Sequence, residues 1–256
     1  MTAPYVLVDL FSGTGSLSQP FVDHPLWDVY SFELDPQFDP TYTADILELT
    51  AEDIYLLCGG RPPTMVLAEP PCTSFSMASV RHHWLAYGPC AGCHAEVFRA
   101  GGETWQHIWP LDNCDNPRPV RVDGKAQLTY WPKSATAREG HTLLTHTLRL
   151  IHDLSPEFWA IENPRALMRQ MPELKGIPQH TITHCQYGDP RRMKPTDLFG
   201  YLPPGFQARA CVNGAPCHEA APRGARTGTQ GLSTLEAGML PYGLGAELCA
   251  AATPTA

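Results

Sequence analysis

Apolar and polar positions follow two regimes along the 256 residues of the chain. Residues 5–10 (YVLVDL) form an almost unbroken apolar run, and residues 65–68 (MVLA) form another. Runs of this kind, without strict alternation, mark strands buried on both faces of a parallel sheet. Residues 29–33 (VYSFE) read as a further strand ending on an acid, and residues 44–47 (ADIL) as the end of the next. A tight glycine loop, FSGTGS, follows the first strand, and a helix is expected to start near Ser16. Leu143, Leu144, Leu148, Ile151 and Leu154 recur near helical spacing, so residues 139–154 are read as a helix. Residues 158–161 (FWAI) read as a strand ending at Glu162-Asn163-Pro164, and residues 180–187 as another. Residues 85–138 break the rhythm and read as an insertion or long loop. Residues 203–231, rich in Pro, Gly and Arg, read as irregular. Residues 232–252 read as two short helices separated by Pro241. There is no internal repeat. The alternation predicts an α/β fold, a doubly wound, mostly parallel sheet, as one domain over residues 1–256.

Composition adds the setting. Hydrophobic content of 43% and charged content of 17% fit a soluble globular protein. No apolar run reaches the length of a membrane span, and the start lacks a basic, apolar signal, so no membrane contact and a cytoplasmic location are expected. The nine cysteines are then thiols or metal ligands rather than a disulfide framework. A net charge of −8 argues against nucleic acid, but its distribution is uneven. Residues 1–60 hold ten acids and no Lys or Arg, so all 18 basic residues follow. Residues 118–226 hold 15 basic and nine acidic residues. Two readings stay open: an ordinary mixed surface, or an acidic face and a basic face able to meet phosphates.

The chemistry concentrates at strand ends. In LAEPPCTSFSMA, Pro70-Pro71 cannot continue a central strand, so Cys72 falls on a stiff loop beyond the strand's carboxyl end. Ligands of open α/β sheets bind at that edge. Cys72 is either a nucleophile or a buried filler. Gly13 and Gly15 allow a sharp turn and close approach of a ligand. Glu33 lies 20 residues past Gly13, where an acid accepts hydrogen bonds from ribose hydroxyls, and Asp45 is placed for an adenine amine. The loop lacks the lysine of a phosphate-binding loop, which disfavours ATP. Glu162 follows an apolar strand interior, which raises a carboxyl pKa and lets it donate a proton. Cys72 and Glu162 together suit attack on an electron-poor ring with protonation of a ring nitrogen. Arg191, Arg192 and Lys194 add cations after a later strand, suited to phosphate or oxyanion. Cys90-x2-Cys93 with Cys114, and Cys211 with Cys217-His218, are candidate zinc ligands, expected to hold about one ion with four of these six residues.

In order, DLFSGTGS, SFELDP, TADILEL, EPPCTSFS, IENPRAL and CQYGDPRRMKP resemble the motifs of DNA cytosine-5 methyltransferases, and GLSTLEAGMLPYGLG resembles their closing motifs. An amino-methyltransferase carries an aromatic residue where Cys72 stands. The chain looks most like the short cytosine methylases of phages and actinobacteria. The resemblance implies the S-adenosylmethionine-dependent methyltransferase fold. It implies that cofactor in a pocket of Phe11, Gly13, Gly15, Glu33, Leu34, Asp45, Ile46 and Pro70. It implies DNA as partner, in a bacterial or phage-infected cell, with a flipped-out cytosine attacked at C6 by Cys72. Glu162 would hold N3 and the exocyclic amine, Arg192 and Lys194 would touch the target nucleotide, and Asn163 would buttress the Cys72 loop. Three departures stand out: Thr73 replaces the usual Gln, Pro164 the usual Val, and residues 200–231 the usual large recognition domain. Sequence choice is then loose, or falls to residues 80–138, or to a protein partner or DNA-targeting subunit. Two alternatives remain: the same chemistry on RNA or a free cytosine nucleotide, and a non-catalytic, zinc-containing nucleic-acid binder.

Overall fold

The structure, a computed structural model, describes residues 3–76, 79–100, 104–108, 114, 116–189, 191–220 and 232–254. Its strands are β1 (Tyr5–Leu10), β2 (Trp27–Glu33), β3 (Tyr42–Thr43), β4 (Met65–Ala68), β5 (Trp84–Pro89), β6 (Glu96–Ala100), β7 (Gln106–His107), β8 (Arg121–Val122), β9 (Lys125–Ala126), β10 (Thr129–Pro132), β11 (Phe158–Pro164), β12 (Gln179–Thr183) and β13 (Pro195–Phe199). Its α-helices are α1 (Gln19–Val22), α2 (Ala51–Leu57), α3 (Val80–His83), α4 (Ala135–Leu154), α5 (Thr234–Gly238) and α6 (Tyr242–Ala252). The chain divides into two compact units. Met1–Pro71, Leu143–Arg165 and Gly176–Ala256 make the first; Cys72–Thr142 and Ala166–Lys175 make the second. Among the described residues, no helix is long and apolar enough to cross a membrane.

The first unit is built on a seven-stranded sheet in the order β12-β13-β11-β4-β1-β2-β3. The five strands from β11 to β3 pair in parallel, whereas β13 runs antiparallel to both β11 and β12. This is the expected mostly parallel α/β fold. The unbroken apolar runs occupy the centre: all of β4 is buried, as are five of six residues of β1 and five of seven of β11. Leu7, Met65, Leu67, Ala160, Ile182 and Leu198 from the sheet pack with Leu17, Phe21 and Trp27 and with Leu244, Leu248 and Cys249 of α6.

Several boundaries differ from the sequence reading. The first helix begins at Gln19 rather than near Ser16, because Gly15 takes a left-handed φ of 68° and closes a turn on Ser12. The third strand ends at Thr43, and Asp45 instead caps a 3-10 turn by accepting from the Leu47 amide at 2.9 Å. The strand expected over residues 180–187 stops at Thr183 and tightens into a 3-10 turn, His184–Tyr187. Helix α4 starts earlier, at Ala135, where the Ser134 hydroxyl accepts from the Ala137 amide at 3.0 Å. The helices expected around Pro241 are present as α5 and α6.

The second unit contains most of the residues read as an insertion or long loop. They fold instead as a four-stranded antiparallel sheet, β10-β5-β6-β7, with a separate hairpin of β8 and β9. Its strands are two to six residues long, too short for a two-residue period to stand out. Residues 203–220 contain no helix or strand, as expected of that region; residues 221–231 lie outside the described residues.

Candidate functional site

The loop after β1 carries the candidate cofactor residues. Phe11, Gly13 and Gly15 all take positive φ, at 57°, 47° and 68°. At Gly13 this favours glycine over any side chain, and the space a Cβ would fill is open. The Glu33 carboxylate at the end of β2 accepts from the Gly13 amide at 3.0 Å, and from the Leu34 and Asp35 amides at 2.8 and 3.1 Å. One carboxylate therefore ties the glycine loop to the next strand end. Leu34 beside it is 65% exposed, while Ile46 and Pro70 are buried. The open volume at Gly13, the exposed apolar Leu34 and the strand-end carboxylate fit the hydroxyls and flat base of a nucleoside.

Three carboxyls cluster near the carboxyl ends of adjacent strands. Asp9 lies on β1, Glu69 follows β4, and Glu162 lies on β11, opposite Leu198 of β13. Both Asp9 oxygens, Glu69 Oε1 and Glu162 Oε1 are buried without a hydrogen-bond partner. Burial pushes Asp9 up to about 7, with Glu33 adding repulsion. Burial also pushes Glu162 up to about 7, against the pull of Lys194 and the Thr196 hydroxyl, with Asp197 adding repulsion. Glu69 is held well above the ordinary glutamate value by burial first, then by Asp9 and Glu162, with Lys194 opposing. Three half-dry acids side by side resist ionising together, so protons are retained near neutral pH. The neighbouring Asn163 donates Nδ2–H to the Pro70 carbonyl at 3.1 Å, fixing the chain just ahead of Cys72.

Cys72 opens the second unit and is half-buried. Its carbonyl accepts from the Phe75 and Ser76 amides, both at 3.0 Å, so the chain turns immediately after it. Phe75 and Ser74 anchor that turn: both are buried, and the Ser74 carbonyl accepts from Trp84 Nε1 at 3.0 Å. A Cβ at Gly140 would lie 2.7 Å from Ser74 Oγ, so glycine there makes room for the turn.

The three cations after β12 have different fates. Arg192 is buried, ion-pairs with Asp189 and donates to the Glu236 and Met239 carbonyls at 2.6 and 3.0 Å. Lys194 is also buried and donates to the Ala237 carbonyl at 2.8 Å. Both are thus bonded to carbonyls at the end of α5, where cations complement the terminal carbonyls. Arg191, with a 60% exposed side chain, is the cation of the three that faces solvent.

The cysteines gather into two sets. Cys90, Cys93, His107 and Cys114 form one in the second unit; Cys185, Cys211, Cys217 and His218 form another in the first. Within each set the four ligand atoms lie within 4.8 Å of one another. All six residues expected to supply ligands fall in these two sets. The six divide three and three, and each trio is completed by a residue the sequence reading passed over, His107 or Cys185.

No protein-family model matches the chain, and no curated protein matches it. Solved structures similar to it include two methyltransferase-type proteins by name. One is a mutant DNMT2 of Spodoptera frugiperda, at 13% identity over 80% of this chain and 53% of that one, with a TM-score of 0.41. The other is the methyltransferase EhMeth of Entamoeba histolytica, at 10% identity over 86% of this chain and 58% of that one, with a TM-score of 0.41. The chain therefore spans little more than half the length of either protein.

Asp9, Glu69, His107 and Cys185 were not singled out from sequence. The first two carried a usable signal: like Glu162, each is an acid inside or directly behind an apolar strand, in YVLVDL and MVLAE. Cys185 lies two residues past β12, in a turn that the sequence reading of residues 180–187 as one strand concealed. His107 sits in a two-residue strand and had no signal of its own.

Proposed function

We propose that the protein transfers a methyl group from S-adenosylmethionine to C5 of cytosine in DNA. The observation that carries this reading is Glu162, a buried carboxyl pushed up to about 7, on a strand directly ahead of Asn163 and its bond to the Pro-Pro-Cys segment. S-adenosylmethionine, when bound, supplies an electrophilic methyl group. Glu33 would accept from its ribose hydroxyls, Leu34 and Ile46 would flank its base, and the open space at Gly13 would admit its backbone-facing edge.

The chain's own residues account for the remaining steps. The Cys72 thiolate adds to C6 of a flipped-out cytosine, forming a C–S bond. Glu162 donates its proton to N3 as that bond forms, so negative charge does not build up on the ring. C5 becomes nucleophilic and takes the methyl. The C5 proton then passes to water, the C–S bond breaks to restore the C5–C6 double bond, and N3 returns its proton to Glu162. Asn163 positions the loop through Pro70. Arg191 would meet a phosphate, while Arg192 and Lys194 would shape the site by holding the end of α5.

The short segment at residues 200–231 also favours a second reading, the same chemistry on RNA or a free cytosine nucleotide. If DNA is the substrate, that segment leaves sequence choice loose or delegated to a protein partner. Labelled S-adenosylmethionine offered with DNA, RNA and dCMP tests both. Incorporation into DNA, located at C5 by mass spectrometry, supports the proposal; incorporation only into RNA or dCMP replaces it with the second reading; none into any of the three refutes both.

A further inference from the structure

The two Cys/His sets take no part in the steps above, yet each is a complete set of four donors. We propose that the protein binds two structural zinc ions, one held by Cys90, Cys93, His107 and Cys114, the other by Cys185, Cys211, Cys217 and His218. This inference does not rest on the methyl-transfer reading.

The distances are those of metal shells. A tetrahedron with metal–sulfur bonds of about 2.3 Å has edges near 3.8 Å between sulfurs, and slightly less between sulfur and nitrogen. Cys90 and Cys114 sulfurs lie 3.8 Å apart, and Cys185 and Cys217 sulfurs 3.7 Å apart. His218 Nδ1 lies 3.6 Å from both Cys211 and Cys217 sulfurs. Two edges are tighter, Cys93 to His107 Nε2 and Cys185 to Cys211, both at 3.2 Å. All are far longer than a disulfide of about 2.05 Å. Three thiolates and one imidazole per site select zinc over magnesium or calcium, which take oxygen ligands. Four protein donors leave no open position, so both ions are structural rather than catalytic.

The local backbone is arranged around each set. Cys90 and Cys93 flank the turn between β5 and β6, closed by the His94 amide on the Cys90 carbonyl at 2.9 Å and by a left-handed His94 at φ 61°. Gly92 keeps that turn clear: a Cβ there would lie 3.3 Å from Cys114 Sγ. His107 enters from β7, opposite Val97 of β6. At the second set, Cys185 lies in the turn after β12. The Cys211 amide donates to Thr183 Oγ1 at 3.0 Å, and Gln186 Nε2 donates to Cys217 Sγ at 3.3 Å, a bond that suits a metal-bound thiolate.

Both regions need a fastening that packing does not supply. Among the described residues of β5, β6, β7 and β10, the buried apolar side chains are Trp84, Ala86 and Val97. Residues 203–220 have no helix or strand whose hydrogen bonds would order them. So little burial leaves the ordering entropy of such segments uncovered, and a metal provides the missing constraint. The second ion fastens residues 211–218 to the turn after β12. It thereby gives a fixed shape to the short stretch that stands where a recognition domain is expected.

The test is metal content of the full-length chain purified without a histidine tag. Elemental analysis is expected to give two zinc ions per chain. Blocking thiols with p-hydroxymercuribenzoate is expected to release both. His107→Ala and Cys185→Ala are each expected to leave one ion, and the double variant none. A wild-type count other than two, a metal other than zinc, or a single variant that keeps two ions overturns the proposal. If a variant does not fold, cobalt(II) substitution of the wild-type chain decides instead. Two tetrahedral cobalt ions with thiolate charge-transfer bands support the assignment; octahedral spectra or fewer ions overturn it. None of these readouts uses methyl transfer, so failure of the metal sites and failure of the proposed reaction are separable.

Discussion

Glu162→Gln separates what the buried carboxyl costs the fold from what it does in the reaction. The side chain is 7% exposed on a central strand, and Oε1 has no hydrogen-bond partner. Folded, the group titrates at about 7; its ordinary value is 4.5. Raised folded values mean that the native state holds the proton more tightly than the unfolded chain. Stability from this group is therefore complete below about pH 4.5 and is lost as pH rises through 7. Each pH unit between those values costs up to about 1.4 kcal/mol, so ionising Glu162 in place costs on the order of 3 kcal/mol. Glutamine keeps the neutral shape and does not titrate. Wild type should therefore lose about 2–3 kcal/mol relative to Glu162→Gln between pH 5 and pH 8. Asp9 and Glu69 add a decline of the same sign to both proteins; Glu69, which feels the Glu162 charge, is raised less in Glu162→Gln, so the difference keeps part of its share. The assay is urea unfolding across that pH range, without cofactor or nucleic acid, because a bound base would fix the proton. In the reaction, loss of the proton donor should lower transfer by about 100- to 10,000-fold. A stability difference that does not change with pH would refute the reasoning.

Glu33→Ala should weaken S-adenosylmethionine binding by about 1–3 kcal/mol in calorimetry, the usual loss when hydrogen bonds to a charged acceptor go; unchanged affinity would put the ribose elsewhere. Arg191→Ala should reduce the log–log salt slope of DNA binding by roughly one unit. Arg192→Ala should leave that slope unchanged and lower stability instead, since its guanidinium is bonded to Asp189 and to the α5 carbonyls; the reverse pattern would exchange their roles.

The parallel sheet was legible because burial on both faces writes itself into β1, β4 and β11 as unbroken apolar runs. Strand β13 was not, because PTDLF opens on Pro195 and includes Asp197, so it lacks such a run. The antiparallel sheet was hidden for a different reason: its strands are short and bury few large side chains. At the candidate site, Glu33, Cys72 and Glu162 were readable as candidates because each stands at or just past the end of an apolar strand. The commitment of Arg192 and Lys194 to α5 was not legible, because the carbonyls they meet are more than forty residues away. The two Cys/His sets were half legible: Cys90-x2-Cys93 announces itself by spacing, whereas His107 and Cys185 join through tertiary contacts.

The most direct test of the central claim is a covalent trap. The protein is incubated with S-adenosylmethionine and DNA in which 5-fluorocytosine replaces cytosine, and denaturing electrophoresis reads the products. Fluorine cannot leave C5 as a proton does, so the C–S bond to Cys72 cannot break after methyl addition. A denaturant-stable protein–DNA adduct is predicted, carrying the labelled methyl and mapping to Cys72, and absent from Cys72→Ala. Methyl transfer to unmodified cytosine DNA that persists at full rate in Cys72→Ala, with no adduct on the fluorinated DNA, would contradict it.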